Sequence, residues 1–312
     1  MITYANRASA VLYSFLKSKP FKGLFLIPAN VCPVVPLTMM KAGIDFDFVD
    51  IDERHTMSES IALKKVNSGY YAGMVFVHSY GKKFDNDDFY TKLKQIKPDF
   101  CIIDDRCLCV PELDGVIATN VDLVLYSTGY AKYVEFSFGG FGVVKEPFII
   151  QTGYEYSEEK ENEQLAYIKD CFNGNKQYNF PADYPWLDGS PLKMEPEQYF
   201  SSIKDKIATI SDDKAKINKI YRENLLQEIQ WGDDYSHWRF MISVENRDEV
   251  LNAIFDAGLF AGTNFPSVSW MFKSVHSENA EKEAQYTINL FNDFRVNEPF
   301  AYKICDIINS KI

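Results

Sequence analysis

Short apolar runs alternate with amphipathic stretches over the first 144 residues, and this alternation restricts the fold more than any other feature of the chain. The runs fall at 24–28, 45–49, 73–78, 100–104, 123–127 and 142–144. They are rich in Val, Ile, Leu and Phe and bounded by Gly, Pro, Asp or Lys. Strands buried on both faces look like this, because a parallel sheet flanked by helices leaves neither face polar. Helices are expected between them at 7–18, 33–42, 58–66 and 85–96. The pattern predicts an α/β chain built on a large, mostly parallel sheet.

The pattern changes after residue 150. Residues 151–191 are polar and aromatic and contain Asn173-Gly174-Asn175, Pro181, Pro185 and Asp188-Gly189, so they read as loops around one helix at 158–172. The acidic start of that helix, 158–163, reads as a solvated face. The aromatics Tyr178, Phe180, Tyr184 and Trp186 either line a substrate mouth or pack on the sheet. A long helix is expected at 195–228, where Ile203, Ile207, Ile210, Ile217, Ile220 and Leu225 recur near helical spacing. A small α/β pattern follows: strand 238–244, helix 247–257 stopping at Gly258, strand 259–263, then helices 280–290 and 298–310. The 312 residues therefore divide into a large domain, 1–194, and a linking helix with a small C-terminal domain, 195–312.

Charge narrows the function. With 33 Lys and Arg against 44 Asp and Glu, the net charge is −11, which argues against a nucleic-acid binder or a partner of anionic membranes. One phosphate can still be held by backbone amides and a single cation. No apolar stretch reaches the 18 to 20 or so residues of a membrane span. The six cysteines are scattered, and residues 1–9 lack a basic-then-apolar leader, so the thiols are read as reduced and the protein as cytoplasmic. Cys107 and Cys109 lack further ligands at metal spacing, so no metal site is expected.

The chemistry concentrates at strand ends of the first part, where a parallel sheet holds its ligands. Asp104 and Asp105 end one run, Ser127 ends the next, Lys132 follows five residues later, and 138–144 (FGGFGVV) turns into another strand. A Lys amine for a Schiff base, a carboxylate for a ring nitrogen, and hydroxyl and amide donors for a phosphate together suggest pyridoxal phosphate. Asp104 is read as a turn cap, and His78 as a satisfied strand-end histidine.

Six segments carry a resemblance in matching order. They are 25–33 (FLIPANVCP), 42–52 (AGIDFDFVDID), 77–81 (VHSYG), 103–105 (IDD), 127–132 (STGYAK), and the turn Gly262-Thr263 with Pro266. They resemble the DegT/StrS-type sugar aminotransferases, a PLP-dependent family of the aspartate-aminotransferase fold (fold type I). The resemblance implies an aminotransferase that moves an amino group from an amino acid, glutamate, to a keto sugar carried on a nucleotide, in polysaccharide biosynthesis. It implies a homodimer whose partners are the small-molecule donor and acceptor. Lys132 is then the catalytic residue that carries the cofactor and shuttles protons, and Asp105 pairs with the ring nitrogen. Ser127 and the turn of Arg7, Ala8 and Ser9 hold the phosphate, and Cys32 lies against the ring. Tyr80, Asn264 and Phe265 are expected to contact substrate, with Ser267 nearby.

Two positions depart from the family pattern. Leu108 stands where a Gln is usual, and 189–193 (GSPLK) lacks the usual Asn; the shortened stretch lies at about 145–190. These departures motivate one alternative, a relative that binds PLP or sugar nucleotide without transamination; a second, against which Lys132 counts, is a PLP-dependent sugar dehydratase of the same fold. The latter branch carries His in place of the Schiff-base Lys.

Overall fold

A computed structural model describes all 312 residues. Its larger sheet has seven strands: β1 (Ile2–Ala5), β2 (Leu24–Pro28), β3 (Phe46–Val49), β4 (Tyr71–Val77), β5 (Cys101–Asp105), β6 (Leu123–Ser127) and β7 (Gly140–Val144). Their order is β1-β7-β6-β5-β4-β2-β3. Strands β2 to β6 run parallel, whereas β7 is antiparallel to both β6 and β1. The mostly parallel sheet matches expectation. The edge strand β1 does not appear in the sequence reading, because at four residues with one buried side chain it has no apolar run to announce it.

Helices α1 (Ala8–Lys17), α2 (Val34–Ala42), α3 (Glu59–Val66) and α4 (Asp87–Ile96) connect the strands. Gly43 ends α2 in the left-handed region at φ 73°, a conformation glycine adopts without a Cβ clash. Two apolar clusters sandwich the sheet, one containing Leu12, Phe15 and Phe25, the other Phe76, Phe89 and Tyr126. Then come α5 (Glu158–Gly174) and α6 (Pro196–Asn224), the latter opening on a proline that has no amide hydrogen to leave unbonded.

The smaller sheet is β8-β10-β9, from β8 (Phe240–Ser243), β9 (Ala261–Gly262) and β10 (Thr287–Leu290), all pairs antiparallel. Around it lie α7 (Arg247–Asp256), α8 (Ser269–Lys273), α9 (Glu278–Ala284) and α10 (Glu298–Asn309). The helix expected at 280–290 is a correction: the chain leaves α9 after Ala284 and continues as β10. Thr287, Ile288, Asn289 and Leu290 are all buried there, so pairing on both sides outweighs the helical spacing that precedes them. A third cluster, including Ile217, Tyr221, Ile242, Ile288 and Ile304, packs α6, α7 and α10 on this sheet.

One close approach fixes the start of α1. A Cβ on Gly140 would collide with the Ala8 backbone, so β7 and the helix start touch at a position that only glycine allows. Gly140→Ala is expected to lower the unfolding free energy by about 1–3 kcal/mol, the usual cost of overpacking, measured by urea denaturation. A loss below about 0.5 kcal/mol would show that α1 is not pinned there.

Candidate active site

The parallel register puts Asp105 between Val77 on β4 and Leu125 on β6, at the carboxyl ends of β4 and β5 and beside the middle of β6. Successive strand residues face opposite sides, so Asp104 and Asp105 part company. Asp104 turns into the core, where it accepts from His78 Nε2 (2.7 Å), Tyr90 Oη (2.5 Å) and Arg106 Nε (2.7 Å). Burial opposes its ionisation, but His78, Arg106 and Tyr90 outweigh it and hold the carboxyl well below its ordinary range. Asp104 is therefore not a turn cap. His78 Nδ1 accepts from the Phe84 amide (2.9 Å), so Nε2 carries the proton that Asp104 receives. That histidine is a satisfied core group.

Asp105 faces the other way, into a cavity of about 200 Å³. Its Oδ1 accepts from the Cys107 amide at 2.9 Å, and Oδ2 meets no protein donor. Arg7, Ala8, Ser9, Cys32, Ser127 and Lys132 line the same cavity, so the seven expected cofactor residues converge. Ser127 Oγ accepts from the Gly129 amide (3.2 Å) and keeps its own proton free to donate. Lys132 is half-buried and has no ion-pair or hydrogen-bond partner. Arg7 precedes α1 without a side-chain cap, and the Ser9 amide at the helix start has no hydrogen-bond partner, a free donor of the kind an anion site uses.

The sequence pattern marks neither of two acidic wall residues, which join Trp186, one of the aromatics it offered for a substrate mouth. Glu161 of α5 lies 3.7 Å from Arg7 Nη2, and Asp188 lies 3.8 Å from Arg7 Nε; both line the cavity with the buried Trp186. The acidic start of α5 is thus not wholly a solvated face, because α5 folds back over the phosphate corner. Burial disfavours the charged form of Asp188, but the Ser190 hydroxyl and amide, Asn6 and Arg7 hold it below the ordinary carboxylate range. Trp186 aside, the aromatic loop packs away from the site: Phe180 stacks on Tyr167 at 4.2 Å and Tyr178 tilts on Phe272 at 5.2 Å.

A second cavity, about 660 Å³, shares Cys32 and Lys132 with the first. Asn264, Phe265, Tyr130, Trp238 and Arg239 line it, as does Leu108. Arg239 is buried between the rings of Trp238 (4.4 Å) and Phe291 (3.9 Å). It donates only to Asn289 Oδ1, at 3.3 Å, and no carboxylate lies within ion-pair distance. Burial pushes its pKa down to about 10 against the pull of Asp293. Nothing in the strand pattern around 238–244 marked this arginine, because its isolation depends on the fold. Tyr80 belongs to neither cavity. It is buried behind Phe265, donating to Glu283 (3.0 Å), so it is not a substrate-wall residue. Ser267, bonded to Ser269 (2.9 Å), is likewise internal.

The residues present fit pyridoxal phosphate. Asp105 offers a free carboxylate oxygen, Lys132 an unpaired amine, and Ser127 with the start of α1 a set of oxyanion donors. Arg7 Nε is buried without a hydrogen-bond partner, a donor that an anion in this corner would satisfy.

No protein-family model matches the sequence, and no curated protein resembles it significantly. Solved structures do. The sugar aminotransferase CalS13 from Micromonospora echinospora is 14% identical with a TM-score of 0.70, over 100% of this chain and 87% of that one. DesI, solved in the presence of its TDP-sugar product, is 16% identical with a TM-score of 0.74, over 99% and 80%. The chain has the sugar-aminotransferase fold. The Escherichia coli GDP-4-keto-6-deoxy-D-mannose-3-dehydratase, with hydrated PLP bound, shares it at 12% identity and a TM-score of 0.66, over 98% and 87%.

Within this fold Lys214 of α6 ties the second cavity together. Its buried ammonium donates to Trp238 O (2.7 Å) and Asn292 Oδ1 (2.6 Å). Burial pushes its pKa from 10.5 down to about 8, opposed by Asp293 and aided by Arg239 and Arg295. Between pH 8 and 10.5 the native state has shed this proton while the unfolded chain still binds it, so stability rises with pH across that window. The full span is on the order of 3 kcal/mol. The unfolding free energy of wild type minus that of Lys214→Met should therefore rise between pH 7.5 and 10; a flat difference would refute the shift.

Proposed function

We propose that the protein is a PLP-dependent aminotransferase that takes an amino group from glutamate and delivers it to a keto group on a nucleotide-linked sugar. The observation that carries this reading is the unpaired Lys132 amine where two cavities meet, one floored by Asp105 and the other lined by Arg239. When bound, pyridoxal phosphate supplies an electron sink that stabilises negative charge on the substrate carbon. The chain's part is to hold it and to move protons. Asp105 pairs with the ring nitrogen, keeping it protonated, and Cys32 packs on the ring. Ser127, the Ala8 and Ser9 amides and Arg7 hold the phosphate.

Lys132 Nζ gives and takes the proton at the reacting carbon, and its lack of an ion-pair partner leaves it free to do so. The open donors of Arg239 suit the donor's carboxylate, since a guanidinium pairs with a carboxylate through two parallel hydrogen bonds. Trp238 and Phe265, stacked at 5.5 Å, and the exposed Tyr130 give flat apolar surface for a sugar or base. We assign residues 1–194 to cofactor binding and 195–312 to a small domain that closes the second cavity. A homodimer in the cytoplasm completes the reading; the largely exposed rings of Tyr130 and Phe294, both against Arg295, offer a surface for a second copy.

One observation favours a second reading. Glu161 and Asp188 flank Arg7 and compete with a phosphate for it, as in a protein that binds ligand weakly and does not turn over. Spectroscopy separates the two. The aminotransferase reading expects visible absorbance with PLP that shifts on adding glutamate, and a loss of about 10³-fold or more in that step for Lys132→Ala. Absorbance that no amino donor shifts would favour the second reading. A Lys132→Ala protein that behaves as wild type would refute the first.

A further inference from the structure

Lys132 follows Ala131, a non-glycine residue in the left-handed region at φ 56°. Such a residue persists only where its surroundings hold it, because its Cβ crowds the neighbouring backbone. Both peptide planes around the Ala131 Cα are held. The Ala131 amide donates to Glu135 Oε2 at 3.0 Å, and the Ala131 carbonyl, in the peptide bond leading to Lys132, accepts from Trp238 Nε1 at 2.7 Å. Neither partner is free to drift. Arg295 Nη2 grips both oxygens of Glu135, at 2.8 and 2.7 Å, and is itself tied through Nη1 to Asp293 (2.8 Å). The Trp238 carbonyl is fixed by Lys214 at 2.7 Å.

Trp238 lies two residues before β8 and Arg295 five residues after β10, so both anchors come from the smaller sheet. The far end of the loop is closed by its own contacts: Phe136 donates to Thr128 O (2.8 Å), and Thr128 Oγ1 donates to Phe138 O (2.7 Å). The smaller sheet holds the loop at its near side instead, through Trp238 on Ala131 and Arg295 on Glu135.

We infer that Trp238 and the Glu135–Arg295 pair are positioning residues for Lys132, aiming its amine from across the cleft so that the placement of the smaller sheet sets the reach of the amine into both cavities. This rests on the functional reading of Lys132 given above. Trp238 and Arg295 act through the backbone of Ala131.

Three variants test it. Trp238→Phe keeps a ring against Phe265 but removes the N–H, Arg295→Met frees Glu135, and Arg295→Lys restores a cation. Hydrogen exchange of the ligand-free proteins, read on a peptide spanning 130–133, should quicken at least tenfold in Trp238→Phe and Arg295→Met and return toward wild type in Arg295→Lys. The rate at which added pyridoxal phosphate becomes attached to Lys132 in borohydride-stable form, read by peptide mass, should fall at least tenfold in the same two and recover in the third. Circular dichroism confirms folding, and should Arg295→Met not fold, Trp238→Phe carries the test. Unchanged exchange, or faster exchange with attachment at the wild-type rate, would overturn the inference alone. Wild-type protein that takes up no pyridoxal phosphate on Lys132 would overturn the functional reading, and this inference with it.

Discussion

Two neighbouring carboxylates at the end of β5 face opposite sides of one sheet, and the site is arranged around that parity. Asp104 is neutralised within the core by His78, Tyr90 and Arg106, so its burial leaves no isolated charge. With the inner carboxylate committed, Asp105 alone faces the cavity, its backbone held by pairing on both sides through Val77 and Leu125. A one-residue slip of β5 would exchange the two, burying Asp105 among core aromatics and sending Asp104 into the cavity. The network on the hidden face thereby fixes the charge on the open one.

Around this floor the site is assembled from chain segments far apart in sequence. The start of α1 supplies amides because Gly140 lets the helix press against β7. Residues from α5 and the loop after it close the phosphate corner, and the segments beside β8 and β10 hold the loop carrying Lys132. The balance of charge is distinctive. Arg7 is shared between a would-be phosphate and two carboxylates, whereas Arg239 in the second cavity has no anionic partner. An anion gains more from Arg239, whose charge is buried and uncompensated, than from Arg7.

Much of this was legible in the sequence where the cause is local. The strands β2 and β6 fall where their apolar runs end at Pro28 and Ser127, and the seven residues expected to hold a cofactor line one cavity, since all but Lys132, in the loop after β6, sit at or beside a strand end or helix start. What the sequence hid depends on contacts made only in the folded chain. The helical spacing before Thr287 concealed β10, whose pairing comes from β8 and β9. Glu161 looked like one more solvated acid until α5 folded over Arg7. Tyr80, in a segment that resembles a family motif, points behind Phe265 because Glu283, 203 residues away, draws its hydroxyl there.

The central claim is that Lys132, Asp105 and the α1 corner form a working transamination site. The most direct measurement is the amount of 2-oxoglutarate released in a single turnover when glutamate is added to PLP-loaded protein without an acceptor. The account predicts one equivalent per bound cofactor. Release of none, with the cofactor still bound and no other amino donor effective, would contradict it.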